Sequence, residues 1–240
     1  MRLALISDVH GNWHALEAVL EDVARQDADG LINLGDHLSG PLDPAGTATL
    51  LMAAGGLAIR GNHDRVLLET GAPDFGPIDE FALARLEPHH LDWLRSLPAT
   101  ASWGEQVFVC HGTPQSDSTF WLEDYWTQRH TRLPDEAQVA APAQGLAFPV
   151  LCCGHTHLSR TVRLRDGRCI VNPGSVGLQL VHGSPDARYG LIEERGESWS
   201  VTFRAIPYDH EGAARLATAN GYPLWAEALR SGWANPEGLF

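Results

Sequence analysis

Basic residues are scarce in this chain: 17 Lys and Arg stand against 30 Asp and Glu, a formal net charge of −13. Binding to a nucleic-acid backbone or an anionic membrane depends on Lys and Arg neutralising phosphates. Neither extended nucleic acid nor a membrane is therefore an expected partner. Long apolar runs are missing as well. No stretch approaches the roughly 18 apolar residues of a membrane helix, and the apolar run near the N-terminus lacks the length and cleavage site of a secretion signal. The four cysteines, Cys110, Cys152, Cys153 and Cys169, form no CxxC pair and no disulfide framework. They read as small apolar residues of buried strands in a reducing compartment, so a cytoplasmic location is expected.

What is present resembles an ordinary globular composition, 44% hydrophobic and 20% charged over 240 residues, and one domain spanning 1–240 is expected. Leu3 to Ile6 reads as a buried strand ending at Ser7-Asp8. Trp13, Leu16, Leu20 and Val23 then recur at the three- and four-residue steps of an amphipathic helix, with Asn12 placed to cap it. Leu31 to Leu34 and Leu57 to Ile59 read as further strands around a helix near Ala45 to Ala54. Strand, helix, strand, helix, strand predicts parallel pairing, and in such sheets ligands bind outside the carboxyl ends of the strands. Beyond residue 98, short β-rich runs at Val107 to Cys110, Val150 to Cys153, Thr161 to Leu164, Cys169 to Val171, Tyr189 to Ile192 and Trp199 to Phe203 predict a second, more antiparallel sheet. Two helices near Glu211 to Ala219 and Leu224 to Ser231 close the chain. An insertion at about 113–149 holds Trp121, Tyr125 and Trp126; long insertions of this kind are commonly functional.

Five polar motifs each follow a predicted strand: Asp8-Val9-His10, Gly35-Asp36, Gly61-Asn62-His63-Asp64, His111-Gly112 and Gly154-His155-Thr156-His157. Residues two apart in extended chain project to the same side, so Asp8 with His10, and His155 with His157, have chelate spacing. Mixed oxygen and imidazole donors suit first-row divalent metals, whereas a Ca²⁺ or Mg²⁺ site would be mostly oxygen. Singly these dipeptides are common. Five of them at strand ends in one chain point to a metal centre.

The ordered set DxH, GD, GNHD, HG and GHTH resembles the calcineurin-like metallophosphoesterase superfamily, and Asn172-Pro173-Gly174-Ser175 resembles a loop of its small bacterial members. The resemblance implies an α/β fold, a four-layer α-β-β-α sandwich of two mixed β-sheets flanked by helices. It implies that Asp8, His10, Asp36 and His157 hold one metal, with Asp36 bridging to a second held by Asn62, His111 and His155. Two divalent ions are implied, Mn²⁺ or Fe²⁺ first, with Ni²⁺, Zn²⁺ or Mg²⁺ as alternatives. The implied activity is hydrolysis of small phosphomonoesters, phosphodiesters or nucleotides by attack of a metal-bridging hydroxide.

His63 directly follows Asn62, and adjacent residues point to different sides. It is therefore expected to serve the phosphate rather than the metals, as a proton donor or charge stabiliser, with Asp64 orienting its ring. Many relatives carry a further Asp three residues after the GD motif, where this chain has Ser39 in His37-Leu38-Ser39-Gly40. That departure puts transfer of substrate preference in doubt. Asn12, His37, Arg65, Trp121 and Tyr125 are the expected substrate contacts, with a surface ion pair the alternative for Arg65. The competing readings are a nuclease or protein phosphatase, and a non-catalytic scaffold of the same fold such as the retromer scaffold subunit. A small phosphorylated substrate is the expected partner, and a homo-oligomer is compatible with the chain.

Overall fold

The computed structural model describes residues 1–69, 71–127, 130–196 and 198–234. The N-terminal part alternates as the apolar pattern predicts: β1 (Arg2–Ile6), α1 (Trp13–Val23), β2 (Gly30–Asn33), α2 (Pro44–Ala54) and β3 (Leu57–Ala58). The Asn12 side chain accepts from Ala15 N–H and caps α1, and Asp43 does the same for α2, which has Pro44 in its first turn. Three helices then follow, α3 (Asn62–Leu68), α4 (Pro77–Leu83) and α5 (Pro88–Ser96). Next come β4 (Thr100–Trp103), β5 (Val107–Cys110), the hairpin β6 (Asp124–Thr127) and β7 (His130–Arg132), and α6 (Glu136–Ala140). The chain continues with β8 (Val150–Cys152), β9 (Arg160–Arg163), β10 (Cys169–Asn172), β11 (Ala187–Arg195), β12 (Ser198–Ile206), α7 (His210–Ala219) and α8 (Pro223–Ser231).

Two five-stranded mixed sheets result, with orders β12-β11-β1-β2-β3 and β4-β5-β8-β10-β9. In the first, β1, β2 and β3 run parallel, while β11 is antiparallel to β1 and β12 to β11. In the second, β5, β8 and β10 are parallel and the two edge strands antiparallel. The runs around Tyr189 to Ile192 and Trp199 to Phe203 thus join the first sheet, not the second. The reason lies in partner choice: β11 lays Arg2 against Glu193 through Leu5 against Gly190 on the open edge of β1, a long-range pairing that no local pattern encodes.

The two-residue period of β1 divides the core. Leu3 and Leu5 face the second sheet among Ile32, Val107, Val109, Cys152 and Val171. Ala4 and Ile6 face the helices among Leu16, Val19, Ala48 and Leu94. The outer face of the second sheet, with Cys110, Leu151 and Ile170, is covered by the insertion through Trp121, Leu122, Val139 and Ala143. This completes the four layers that the resemblance implied. All four cysteines are buried and free. Among the described residues, no helix is long and apolar enough to cross a membrane.

Candidate metal centre

The carboxyl ends of β1, β2, β5 and β8 converge, and the loops leaving them stay zipped together after the strands stop. Asp8 N–H donates to Gly35 O at 2.9 Å, His10 N–H to Asp36 O at 3.1 Å, and Gly154 N–H to His111 O at 2.7 Å. These loops turn sharply enough that Asp8, His10, Asp36, His155 and His157 all have positive φ, between 48° and 68°. Left-handed backbone costs an L-residue roughly 1–2 kcal/mol, least for short polar side chains. Such strain persists where surrounding structure overdetermines it, and it clusters at functional sites. Here five residues of the GD, DxH and GHTH motifs share it.

Two triads form. The ligand atoms of Asp8, His10 and His157 lie within 4.8 Å of one another, and so do those of Asp36, His111 and His155. The carboxylates link the groups: Asp36 Oδ2 is 3.1 Å from His111 Nε2 and 3.9 Å from His10 Nε2. Asp8 Oδ1 is 3.5 Å from His157 Nε2 and 3.8 Å from His111 Nε2. Three rings are aimed by their far nitrogens: His10, His111 and His157 each donate Nδ1–H at 2.7 Å to a backbone carbonyl, of Ser39, Leu34 and Leu178. With those acceptors assigning the proton to Nδ1, Nε2 carries the lone pair that a metal takes.

The residues fit a cation. His10 Nε2 and His157 Nε2 are 3.2 Å apart, and two lone pairs at that distance repel unless positive charge lies between them. Asn62 opens α3 with its Oδ1 buried and lacking a hydrogen-bond partner among the described residues. Orphaned buried acceptors are costly, and a ligand position accounts for this one. Room for the carboxylates depends on glycine: a Cβ on Gly61 would stand 2.1 Å from Asp36 Oδ1, and one on Gly154 would stand 2.0 Å from Ser7 Oγ.

Charge is divided unevenly. Burial, helped by the Asp36 charge, raises Asp8 against the pull of His157 and His111. Burial would also raise Asp36, but His111 and His63 hold it well below the usual carboxylate range. For His111, burial opposes charge, yet Asp36 and Asp8 push it up to about 10. Burial and the His111 charge take His155 down to about 3, and burial with His157 keeps His10 neutral.

His63 sits beside both triads. Its N–H donates to Asp36 Oδ1 at 2.9 Å, and its ring meets that of His10 edge-on with centroids 5.4 Å apart. The carboxylate on its ring is Asp79, whose Oδ1 lies 3.3 Å from His63 Nδ1, not Asp64. Asp64 occupies the third position of α3, where a side chain folds back on the helix start. It accepts from the backbone N–H of Gly61, Asp36 and His37 at 2.8–2.9 Å and from the His37 ring at 2.6 Å. Asp64 is thus a buried clasp between two motif loops. Asp79, in α4, was absent from the sequence expectations. The available signal was the gap at Ser39, whose hydroxyl donates to the same Asp79 oxygen: a carboxylate missing from the GD loop is supplied from another helix.

Four of the five expected substrate contacts are committed elsewhere, wholly or in part. Asn12 is fully buried, donating to Gly177 O at 2.9 Å and to Tyr208 Oη at 3.3 Å while capping α1. His37 is fully buried against Asp64 and Trp93. Arg65 forks onto Asp117 with its Nε at 2.7 Å, which realises the ion-pair alternative. Trp121 packs on the second sheet and donates Nε1–H to Val139 O at 2.8 Å, although it also borders a recess. The side chains of Tyr125 and Trp126 lie outside the described residues.

The model of the calcineurin-like phosphoesterase superfamily domain matches residues 1–195. An uncharacterised protein of Methanocaldococcus jannaschii is 25% identical over 245 residues, 93% of this chain and 94% of its own. A solved metallophosphoesterase from Sphaerobacter thermophilus is similar with a TM-score of 0.78 and 25% identity, over 97% of this chain and 99% of its own. A hypothetical protein from Pyrococcus horikoshii OT3 has the same fold, with a TM-score of 0.78 and 17% identity over 97% and 99% of the two chains.

Proposed function

The chain belongs to the calcineurin-like phosphoesterase superfamily, and from that premise we propose that it hydrolyses small phosphate esters at a two-metal centre. The observation that carries this reading is the pair of triads, Asp8 with His10 and His157, and Asp36 with His111 and His155. Asp36 is assigned as the bridge and Asn62 as the neutral oxygen ligand of the second site. Two divalent ions held there would supply Lewis acidity and would lower the pKa of bound water towards neutrality.

The protein's own part is positional. Carbonyls on three Nδ1 atoms hold the rings with Nε2 aimed into the triads, and Asp64 locks the Asp36 and Gly61 loops in register. Two carboxylates against two divalent ions leave net positive charge, a local anion trap in an acidic protein. His63 is assigned to protonate the leaving oxygen or steady charge on the phosphoryl oxygens, with Asp79 and Ser39 holding its ring. Small substrates are favoured over extended nucleic acid by the −13 charge.

The test is chelation followed by reloading with Mn²⁺, Fe²⁺, Ni²⁺, Zn²⁺ or Mg²⁺, with metal content and hydrolysis of p-nitrophenyl phosphate and bis(p-nitrophenyl) phosphate measured together. Two bound equivalents with turnover are expected. Two equivalents without hydrolysis of either ester would favour the scaffold reading instead.

A further inference from the structure

The two triads are braced by different means. At the first, His10 and His157 each hang from a backbone carbonyl through Nδ1, and the Asp8 carbonyl accepts from Gly177 N–H at 2.9 Å and from Ser175 Oγ at 2.8 Å. At the second, His111 shares the carbonyl device, but neither ring nitrogen of His155 meets a hydrogen-bond partner among the described residues. Metal-binding histidines ordinarily give their far nitrogen to a carboxylate, a carbonyl or water. The His155 ring is held by other rings instead. It tilts against His111 with centroids 5.1 Å apart and 59° between planes, and Phe120 stacks on it with centroids 4.8 Å apart and planes 26° from parallel. Phe120 is 40% exposed and stands outside the core cluster that its neighbour Trp121 joins.

The segment that carries Phe120, residues 113–120, also reaches the other ligands assigned to the second metal. It leaves His111 directly and curls over Gly112, where a Cβ would stand 2.7–2.9 Å from the carbonyls of Ser116, Asp117 and Thr119. Thr113 N–H to Ser116 O at 2.8 Å and Ser116 N–H to Thr113 O at 3.2 Å close its turn. Asp117 then takes the Arg65 guanidinium, Nε at 2.7 Å and Nη2 at 3.3 Å. Arg65 lies one turn beyond Asn62 in α3. One short segment therefore borders His111, stacks on His155 and grips the helix turn that presents Asn62.

We propose that residues 113–120 brace the second metal site, with Phe120 and Asp117 as its positioning residues: the phenyl ring fixes the plane of His155, and the ion pair with Arg65 fixes the first turn of α3. The inference rests on the two-metal reading for the existence of that second ion. Its consequence is that one site can be loosened without the other. An aromatic pair is worth about two- to tenfold in an equilibrium constant, and an outer partner of a metal ligand about 10–100-fold, so losing the Phe120 ring should weaken the second ion about tenfold. The Asp117–Arg65 pair is partly exposed, and such pairs are worth at most about fivefold.

The test is calorimetric titration of the chelated full chain with Mn²⁺. His157→Ala leaves the second site as the intact one, and His155→Ala leaves the first. Phe120→Ala should weaken Mn²⁺ about tenfold in the His157→Ala protein and leave it unchanged in the His155→Ala protein. In the otherwise wild-type chain it should weaken one of two equivalents. At a Mn²⁺ concentration that fills both wild-type sites, paramagnetic resonance should then show isolated ions in place of a coupled pair. Phe120→Tyr keeps the ring and should restore both equivalents, and Asp117→Asn should weaken the same site by a few-fold. Equal weakening of both sites by Phe120→Ala, or no weakening of either, overturns the brace and leaves the two-metal reading standing. Wild-type protein that binds fewer than two equivalents overturns the two-metal reading and the brace with it. Two equivalents without ester hydrolysis count against the catalytic reading alone, and the titrations still decide the brace.

Discussion

Replacing Asp79 by Asn removes one charge from the proposed proton-transfer pair and almost nothing from its shape. The carboxylate is 1% exposed and lies 3.3 Å from His63 Nδ1. Unit charges at that separation interact by about 5 kcal/mol at an effective dielectric of 20, which is a ceiling, because the uncharged pair keeps a hydrogen bond. Groups that orient a functional histidine are typically worth about 10–100-fold, and kcat should fall by that much with KM little changed. Burial opposes charge on His63, but Asp36 and Asp79 together raise its pKa. A general acid must be protonated, so kcat declines as pH rises through that pKa, and Asp79→Asn should move the decline to lower pH. The assay compares an alkyl phosphodiester, whose leaving oxygen needs a proton, with a p-nitrophenyl ester, whose leaving group departs unaided; the alkyl ester should suffer more. In the double variant with His63→Ala, no loss beyond that of His63→Ala alone is expected. Wild-type kcat on the alkyl ester, or fully multiplicative losses with metal content intact, would refute the role of Asp79.

Two further outcomes follow from the same geometry. His111, pushed up to about 10 by Asp36 and Asp8 against its burial, holds a proton in the metal-free protein at neutral pH and must lose it to bind metal. Calorimetric titration at pH 7.5 in buffers of different ionisation enthalpy should report proton release that fades as pH approaches 10, with metal affinity rising over the same range; buffer-independent heats would contradict this. Gly61→Ala places a methyl 2.1 Å from Asp36 Oδ1 at an unstrained φ of −93°. The folded variant should retain its circular dichroism and lose metal, and full metal content by elemental analysis would show that the bridge tolerates displacement.

Much of the centre was legible because chelation is local. Asp8 and His10, two residues apart at a strand end, share one triad as their spacing predicts, whereas His155 and His157, spaced the same way, part into different triads because the GHTH loop turns instead of staying extended; the Val107 to Cys110 strand matches β5 residue for residue. Legibility ended where partners are distant. Asp79 lies 16 residues from His63 in a helix with no motif of its own. The β11–β12 ribbon has the alternation of any half-buried hairpin, and only the free edge of β1 decides which sheet receives it. Asn12, His37 and Arg65 flank the motifs and so invited functional roles. Flanking residues also anchor the loops, and anchoring consumes their hydrogen bonds.

Phe120 and Trp121 are neighbours in sequence with opposite allegiances, one leaning on a histidine of the second triad and the other sealing the outer face of the second sheet. Contact with the centre and cover for the sheet are therefore welded at one peptide bond. A graft that exchanged this segment to alter the surroundings of His155 would also strip cover from Cys110, Leu151 and Ile170, so changes beside the centre are better made as point substitutions at Phe120 than by swapping the whole loop.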